Sequence, residues 1–273
     1  MKVFVFDSEL CNGCYNCHLA CKDEHSGNDW SPIAKPQQDT GMFWLNLKQV
    51  ERGQVPRVKV SNIAHLCQHC DNAPCIEAAP DAVYRREDGL VIIDPEKAKG
   101  NRALVDACPY GAISWNVELE LPQKCMGCAH LLDDGWTEPR CVDACALKAL
   151  RFGDAEDFAE EIARSEELRP ELGSGPHVYY LNLPKRFIGG TLVDFEADEV
   201  VIGATVTLQQ EGSEDVLTTT TDEFGDFWFK QIEPARYLLY FQADDYLTRY
   251  LDVSTVDEDK SVGDVELFAA TAA

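Results

Sequence analysis

The twelve cysteines of this 273-residue chain all fall between Cys11 and Cys145, and their spacing is the first chemical signal in the sequence. Thiolates are soft ligands suited to zinc or to iron–sulfur clusters. Cys11-x2-Cys14-x2-Cys17-x3-Cys21 is the bacterial ferredoxin run without its usual proline after the fourth cysteine. Three thiolates on one tight loop can take three corners of an iron–sulfur cubane, while the following helix carries the fourth to a different cluster. Zinc sites usually pair two Cys-x2-Cys knuckles, a pattern this run does not fit. Cys125-x2-Cys128-x12-Cys141-x3-Cys145 is the same run with its middle gap opened by residues His130 to Arg140. Alone it reads as a zinc ribbon. As the partner of the first run it completes two clusters by exchange: Cys11, Cys14, Cys17 and Cys145 in one, Cys21, Cys125, Cys128 and Cys141 in the other.

The middle of the chain carries the rest. Cys67-x2-Cys70-x4-Cys75 is a third triplet, but its fourth position is Ala79, followed by Pro80. Cys108-Pro109 has the form of a fourth ligand, yet its own triplet positions are Ala98, Asn101 and Leu104. Under the exchange rule one cluster, at Ala98, Asn101, Leu104 and Ala79, has lost all its ligands together. The other keeps Cys67, Cys70, Cys75 and Cys108. The twelve thiols thus divide into three [4Fe–4S] sets with none left over, whereas random loss would leave orphans. Each set already has four thiolates, so His18, His25, His65, His69 and His130 are read as packing or hydrogen-bonding neighbours, with tuning of the cluster potential as the alternative. The stretch Thr221–Phe229 holds Asp222, Glu223 and Asp226, and is read as a turn at Gly225 feeding a strand rather than a calcium loop.

The formal net charge is −24, and residues 191–273, with 4 basic and 19 acidic side chains, supply −15 of it. Such a balance argues against nucleic acid and against anionic membrane surfaces. No apolar run approaches a membrane span. Val3–Phe6 is too short for a signal peptide, and Arg85-Arg86 is internal, so a cytoplasmic location is expected unless a partner carries an export signal. A disulfide framework is expected of small exported chains, and the cysteines are better read as metal ligands.

These ligands need short, tightly turned elements to hold them. Val3–Phe6 reads as a strand leading into Cys11. Ala82–Arg85 and Leu90–Ile93 flank the hairpin signal Glu87-Asp88-Gly89. Asp94-Pro95 looks like the start of a helix reaching Ala107, Gly111–Asn116 reads as a strand, and Asp154 is placed to cap a helix over Ala155–Arg164. Residues 170–190, rich in proline and glycine, read as a linker. Beyond it Val200–Leu208, Val216–Thr221, Asp226–Lys230, Tyr237–Gln242 and Leu247–Val253 are β-branched and aromatic runs separated by turn residues, the pattern of a small sandwich. The expected architecture is α+β: a ferredoxin-like three-cluster domain over 1–169 with pseudo-twofold cysteine motifs, a linker over 170–190, and an all-β transthyretin- or immunoglobulin-like sandwich over 191–273.

At the residue level CNGCYNCHLACKDEH, CQHCDNAPC, YRREDGLVIIDPEKAKG, CPYGAISWN and KCMGCAHLLDDGW resemble the small subunits of the pyrogallol–phloroglucinol transhydroxylase and catechol dehydroxylase family. The likeness runs along the whole chain, including HVYYLNL and the acidic β-rich end. It implies a heterodimer in which a large subunit carries a molybdenum bis-pterin and the active site for a polyhydroxylated aromatic ring. The small subunit then carries three [4Fe–4S] clusters and a C-terminal transthyretin- or immunoglobulin-like domain, with no catalytic residue of its own. The alternatives are a free-standing polyferredoxin, the iron–sulfur subunit of a different molybdopterin reductase, or clusters serving as structural staples.

Overall fold

The computed structural model describes residues 1–270, which form two compact units: residues 1–50 with 61–183, and residues 51–60 with the chain from 184 on. The first unit is built on the strand Lys2–Asp7. Its continuous apolar run, Val3 to Phe6, is buried on both faces. It pairs antiparallel with Leu150–Asp154 and parallel with Val178–Leu181, so that Phe4 lies opposite both Phe152 and Val178. Two small hairpins pair Val83–Arg85 with Val91–Ile93 and Ser114–Asn116 with Leu121–Gln123. The first turns through the expected Glu87-Asp88-Gly89, with Gly89 at φ +93° and the Leu90 N–H donating to Asp88 Oδ1 at 3.1 Å.

Short α-helices complete this unit: α1 Asn16–His25, α2 Pro74–Ala78, α3 Ala103–Ala107, α4 Ala129–Asp133, α5 Arg140–Asp143 and α6 Ala159–Ala163. Of these, α1 alone reaches ten residues. Helices of four or five residues do not stand alone in water, so packing must hold them. That packing comes from one apolar core containing Phe4, Phe6, Leu45, Leu66, Leu90, Ile92, Leu104, Leu150 and Tyr180, which also takes in most of the cysteines.

Three expectations for this unit need correction. The helix expected from Asp94 to Ala107 is two separate pieces. Asp94 Oδ1 does accept from the Glu96 and Lys97 N–H groups, at 3.0 and 3.2 Å, as a cap would. The turn then stops at Gly100, φ +76°, and α3 begins only at Ala103. Asp154 makes no side-chain cap; its carboxylate pairs with Lys2 Nζ at 2.9 Å, and a 3-10 turn over Ala155–Phe158 precedes α6. The segment 170–190 is not a free linker. The Asp71 and Asn72 N–H groups donate to the Gly175 and Ser174 carbonyls at 2.8 and 2.9 Å, and Val178 and Tyr180 are fully buried. The boundary lies between residues 183 and 184, because the apolar run Val178–Leu181 pairs as a strand with Lys2–Asp7 despite the nearby glycines and prolines.

The second unit is a sandwich of two sheets. In one, Arg186–Asp194 pairs antiparallel with Asp226–Ile232 and Glu199–Val200, and parallel with Lys260–Glu266. In the other the order is Val216–Thr220, Thr205–Gln210, Arg236–Gln242, Arg249–Ser254, all antiparallel. Alternate side chains of both sheets (Ile188, Leu192, Phe227 and Phe229 from one, Val206, Leu208, Leu239 and Phe241 from the other) share one core. Arg186–Asp194 escaped the sequence reading because Gly189-Gly190 interrupts its apolar pattern. A Cβ on Gly190 would lie 2.5 Å from Val262 and 2.8 Å from Phe227, so close strand and ring packing excludes any side chain there. The hairpin of Asn46–Gln54 and Arg57–His65 was also unforeseen, and its tip, residues 51–60, belongs to this second unit. There Arg57 donates to Asp226 Oδ1 at 2.6 Å and to Thr191 Oγ1, and Arg52 donates to Asp259 Oδ1 at 3.2 Å.

Candidate cluster-binding sites

The first set of thiols starts on the loop before α1. Cys11, Cys14, Cys17 and Cys145 line one cavity, together with Phe6, Tyr15, Leu47 and Leu150. Cys17 comes from the first turn of α1, and Cys145 follows α5. One turn further along α1, Cys21 leaves this set. It lies within electrostatic reach of Cys125 and Cys128, as Cys141 on α5 does of Cys21, Cys125 and Cys128. These four form the second set. The third is a cavity lined by Cys67, Cys70, Cys75 and Cys108, with His69, Val91, Pro109, Tyr110 and Lys124. Cys75 sits on α2, and Cys108 ends α3, which packs against α2. Among the described residues no three His, Cys, Asp or Glu side chains close on a single ion. The sulfurs of the first and third sets surround cavities instead of a common point.

The three loops share a backbone device. The residue just before the second cysteine has left-handed φ: Gly13 at +73°, His69 at +48° and Gly127 at +65°. This conformation aims the N–H at the first cysteine of each loop. His69 N–H donates to Cys67 Sγ and Gly127 N–H to Cys125 Sγ, both at 3.4 Å, and the Gly13 amide lies against the Cys11 thiol in the same way. At Gly13 and Gly127 a Cβ would also meet the Asn62 and Leu90 side chains at 2.8 Å. His69 accepts the strain because its Nδ1 receives the Val91 N–H at 3.0 Å. Further N–H groups reach Cys108 Sγ from Ala112 and Cys145 Sγ from Leu150, both at 3.4 Å. Such N–H···S bonds raise the reduction potential of a cluster.

Burial opposes charge on these sulfurs. It pushes the Cys17, Cys70 and Cys125 thiols up to about 11 and Cys128 up to about 12, and drives Cys21 and Cys141 well above their ordinary range. Anionic sulfur is stable in such places only beside strong positive charge, which the iron of a cluster supplies. Four thiols around a desolvated space, met by N–H donors, fit an iron–sulfur cubane.

The sets are strung in order. Cys17 of the first lies within electrostatic reach of Cys21 and Cys141 of the second, and Cys67 of the third within reach of Cys125 of the second. The second set is therefore the middle one. Ala79, Ala98 and Leu104, where ligands of a fourth set would have stood, are absorbed into the apolar core.

The histidines divide by role. His25 is buried on α1 with Nε2 3.8 Å from Cys128 Sγ, and burial pushes its imidazole down to about 3, so it stands neutral. His130 bonds Glu24 at 3.0 Å and stacks on Trp30. His18 Nδ1 accepts the Leu47 N–H at 3.4 Å, and burial lowers the pKa of His65 as well. Several neighbours of the third set were missed from sequence. Arg85 donates to the Cys70, Asp71 and His69 carbonyls; Ser174 bonds the Cys70 thiol and lies 2.8 Å from Tyr110 Oη; Lys124 lines the cavity. Only Lys124 carried a sequence signal, its place directly before Cys125.

Residues 58–155 match the family described as 4Fe-4S dicluster domain, and residues 188–267 match the carboxypeptidase regulatory-like domain. The pyrogallol hydroxytransferase small subunit of Pelobacter acidigallici is 40% identical over 94% of this chain and 95% of its own length. A tetrathionate reductase subunit of Salmonella typhimurium is 33% identical over 67% of this chain and 73% of its own. The arsenate respiratory reductase iron-sulfur subunit of a Shewanella strain is 29% identical over 65% and 94%. Among solved structures, a shaft pilin from Lactobacillus rhamnosus GG aligns over 37% of this chain and 51% of its own at 13% identity, with a TM-score of 0.29, too low to establish a shared fold. With thiol-lined cavities in the first unit, a β-rich regulatory-like domain after them and a relative matched almost end to end, the chain belongs to the family of iron–sulfur subunits of molybdopterin oxidoreductases that includes the pyrogallol hydroxytransferase small subunit.

Proposed function

We propose that this chain relays electrons through three [4Fe–4S] clusters to or from a large molybdopterin subunit that acts on a polyhydroxylated aromatic ring. Cys11, Cys14, Cys17 and Cys145 hold the first cluster, Cys21, Cys125, Cys128 and Cys141 the second, and Cys67, Cys70, Cys75 and Cys108 the third, in a ferredoxin-like arrangement. The observation that carries this is the string of three thiol sets, the middle one within electrostatic reach of both neighbours. When bound, each cluster takes up and releases one electron.

The chain's own residues do the rest. α1 carries Cys17 and Cys21 of two sets and packs on α5, which carries Cys141 and is followed by Cys145, tying the first and second sets to one scaffold. Aliphatic and aromatic neighbours keep water from the second and third sets, and backbone N–H groups meet the sulfurs without any side chain having to move. No general acid, base or nucleophile is assigned, since the chemistry belongs to the partner's cofactor. The aromatic substrate rests on the 40% identical relative, whose name carries pyrogallol.

Three cubanes require about twelve iron and twelve acid-labile sulfide per chain. Anaerobic reconstitution that stops near eight, or reaches sixteen, overturns the ligand partition. Clusters that substrate or reduced partner cannot reduce within a turnover would make them structural and overturn the relay.

A further inference from the structure

Among the described residues, Lys124 is the one Lys, Arg, Asp or Glu side chain lining the cavity of the third thiol set, and it is only 4% exposed. Its Nζ donates to the Val91 carbonyl and, at 3.1 Å, to the Cys125 carbonyl. Neither carbonyl cancels a charge, and among the described residues Lys124 has no carboxylate partner. Burying an ammonium in this way is costly unless an anion lies close. The anions available are sulfurs from two different sets. Lys124 lines the cavity of Cys67, Cys70, Cys75 and Cys108, and its Nζ is hydrogen-bonded to the carbonyl of Cys125, its neighbour in sequence and a thiol of the second set. Cys125 is also within electrostatic reach of Cys67, so Lys124 stands where the two sets approach each other.

We propose that Lys124 is a counter-cation shared by the second and third clusters, which raises the reduction potentials of both and leaves the first unaffected. The proposal rests on the cluster assignment above. A fixed cation stabilises the more negative, reduced cluster more than the oxidised one, so its presence favours electron uptake. Because one ammonium faces sulfurs of both sets, it raises both potentials together instead of opening a step between them. Lys124 is a positioning charge, not a ligand: all four corners of each cluster are already taken by cysteine.

The test is an EPR-monitored redox titration of the full chain, purified with its partner or anaerobically reconstituted, as wild type, Lys124→Arg, Lys124→Gln and Lys124→Met. Signals are assigned to sites with Cys14→Ser and Cys108→Ser. Iron and sulfide counts come first: a wild-type protein without three clusters overturns the assignment itself and is thereby distinguished from failure of the lysine proposal. With three clusters loaded, Lys124→Gln and Lys124→Met are expected to shift the second and third midpoints to more negative values. The first midpoint should stay, and Lys124→Arg should keep all three near wild type. Unshifted midpoints in the neutral variants overturn the proposal, as does an equal shift of all three clusters. Loss of the second and third clusters in both neutral variants, with retention in Lys124→Arg, supports it. Loss in Lys124→Arg as well would make side-chain shape the requirement and overturn it.

Discussion

Cys17, Cys70, Cys125 and Cys128 each have to be an anion in surroundings that disfavour one. Burial holds Cys17, Cys70 and Cys125 at about 11 and Cys128 at about 12 before any iron arrives, so at neutral pH these unloaded sulfurs are protonated. Loading must then release protons, and acid must favour the unloaded protein. Under a fixed chelator without oxygen, iron loss is expected to quicken steadily from pH 8.5 to pH 6; a rate flat across that range contradicts the buried-thiol account. Exchange of ligands gives a second residue-scale prediction. Cys21→Ser should strip the cluster of Cys125, Cys128 and Cys141 and spare the one held by its neighbours in sequence, because α1 turns Cys21 away from Cys17's cavity. Loss of the Cys11–Cys14–Cys17 signal in that variant would reverse the assignment. The left-handed position before each second cysteine is equally local. Gly127→Ala adds a strained φ and a 2.8 Å contact with Leu90, and should lower the yield of the second cluster more than that of the first.

Elements that bind little on their own are stabilised here by what they carry. Apart from α1, the helices around the second and third sets have only four or five residues, so metal and core packing substitute for helix length. In the second unit the corresponding device is the hairpin tip, residues 51–60. Arg52 reaches Asp259, whose carboxylate is 2% exposed and also accepts the Phe187 N–H at 2.9 Å. Arg52→Met leaves that buried carboxylate without its cation, a loss of about 3 kcal/mol. The β unit's thermal transition in the full chain should then fall by about 15 °C. No change in the transition would show the pair to be neutral. A fragment from 184 on lacks Arg52 and Arg57 altogether and is expected to melt well below the same fragment fused to residues 51–60. A sandwich folding at full stability from the C-terminal segment alone would contradict the division of the chain into its two units.

For the whole molecule, membership in a family of small iron–sulfur subunits points to a large partner that carries the chemistry, with the proposed clusters as the relay. The net charge of −24 disfavours anionic surfaces, and among the described residues no helix is long and apolar enough to cross a membrane. Co-expressed with a large molybdopterin subunit of the same family, the chain is expected to elute as a stable complex active on pyrogallol- or catechol-type rings. A chain that stays alone with any molybdopterin protein would return the function to a free electron carrier. A stable complex active only on inorganic or N-oxide substrates would keep the relay and discard the aromatic ring.

The sequence by itself determined which atoms are at stake. Thiol spacing is a local property, set by how few residues a loop can use to present three sulfurs, so iron–sulfur ligation could be read between Cys11 and Cys145. The aromatic and aliphatic run of Tyr237 to Gln242, bounded by turn residues, likewise announced a strand. Tertiary structure decided what depends on distant partners. It drew Ser174, inside a stretch that read as linker, onto Cys70, because the carbonyls of 174 and 175 had donors waiting at Asp71 and Asn72. It split the helix expected after Asp94, gave Gly190 a strand to sit in, and put the 51–60 hairpin tip in the β unit. It also buried Lys124 in the cavity of the third thiol set, a placement that no spacing encodes, because the cost of burying a charge depends on every group around it.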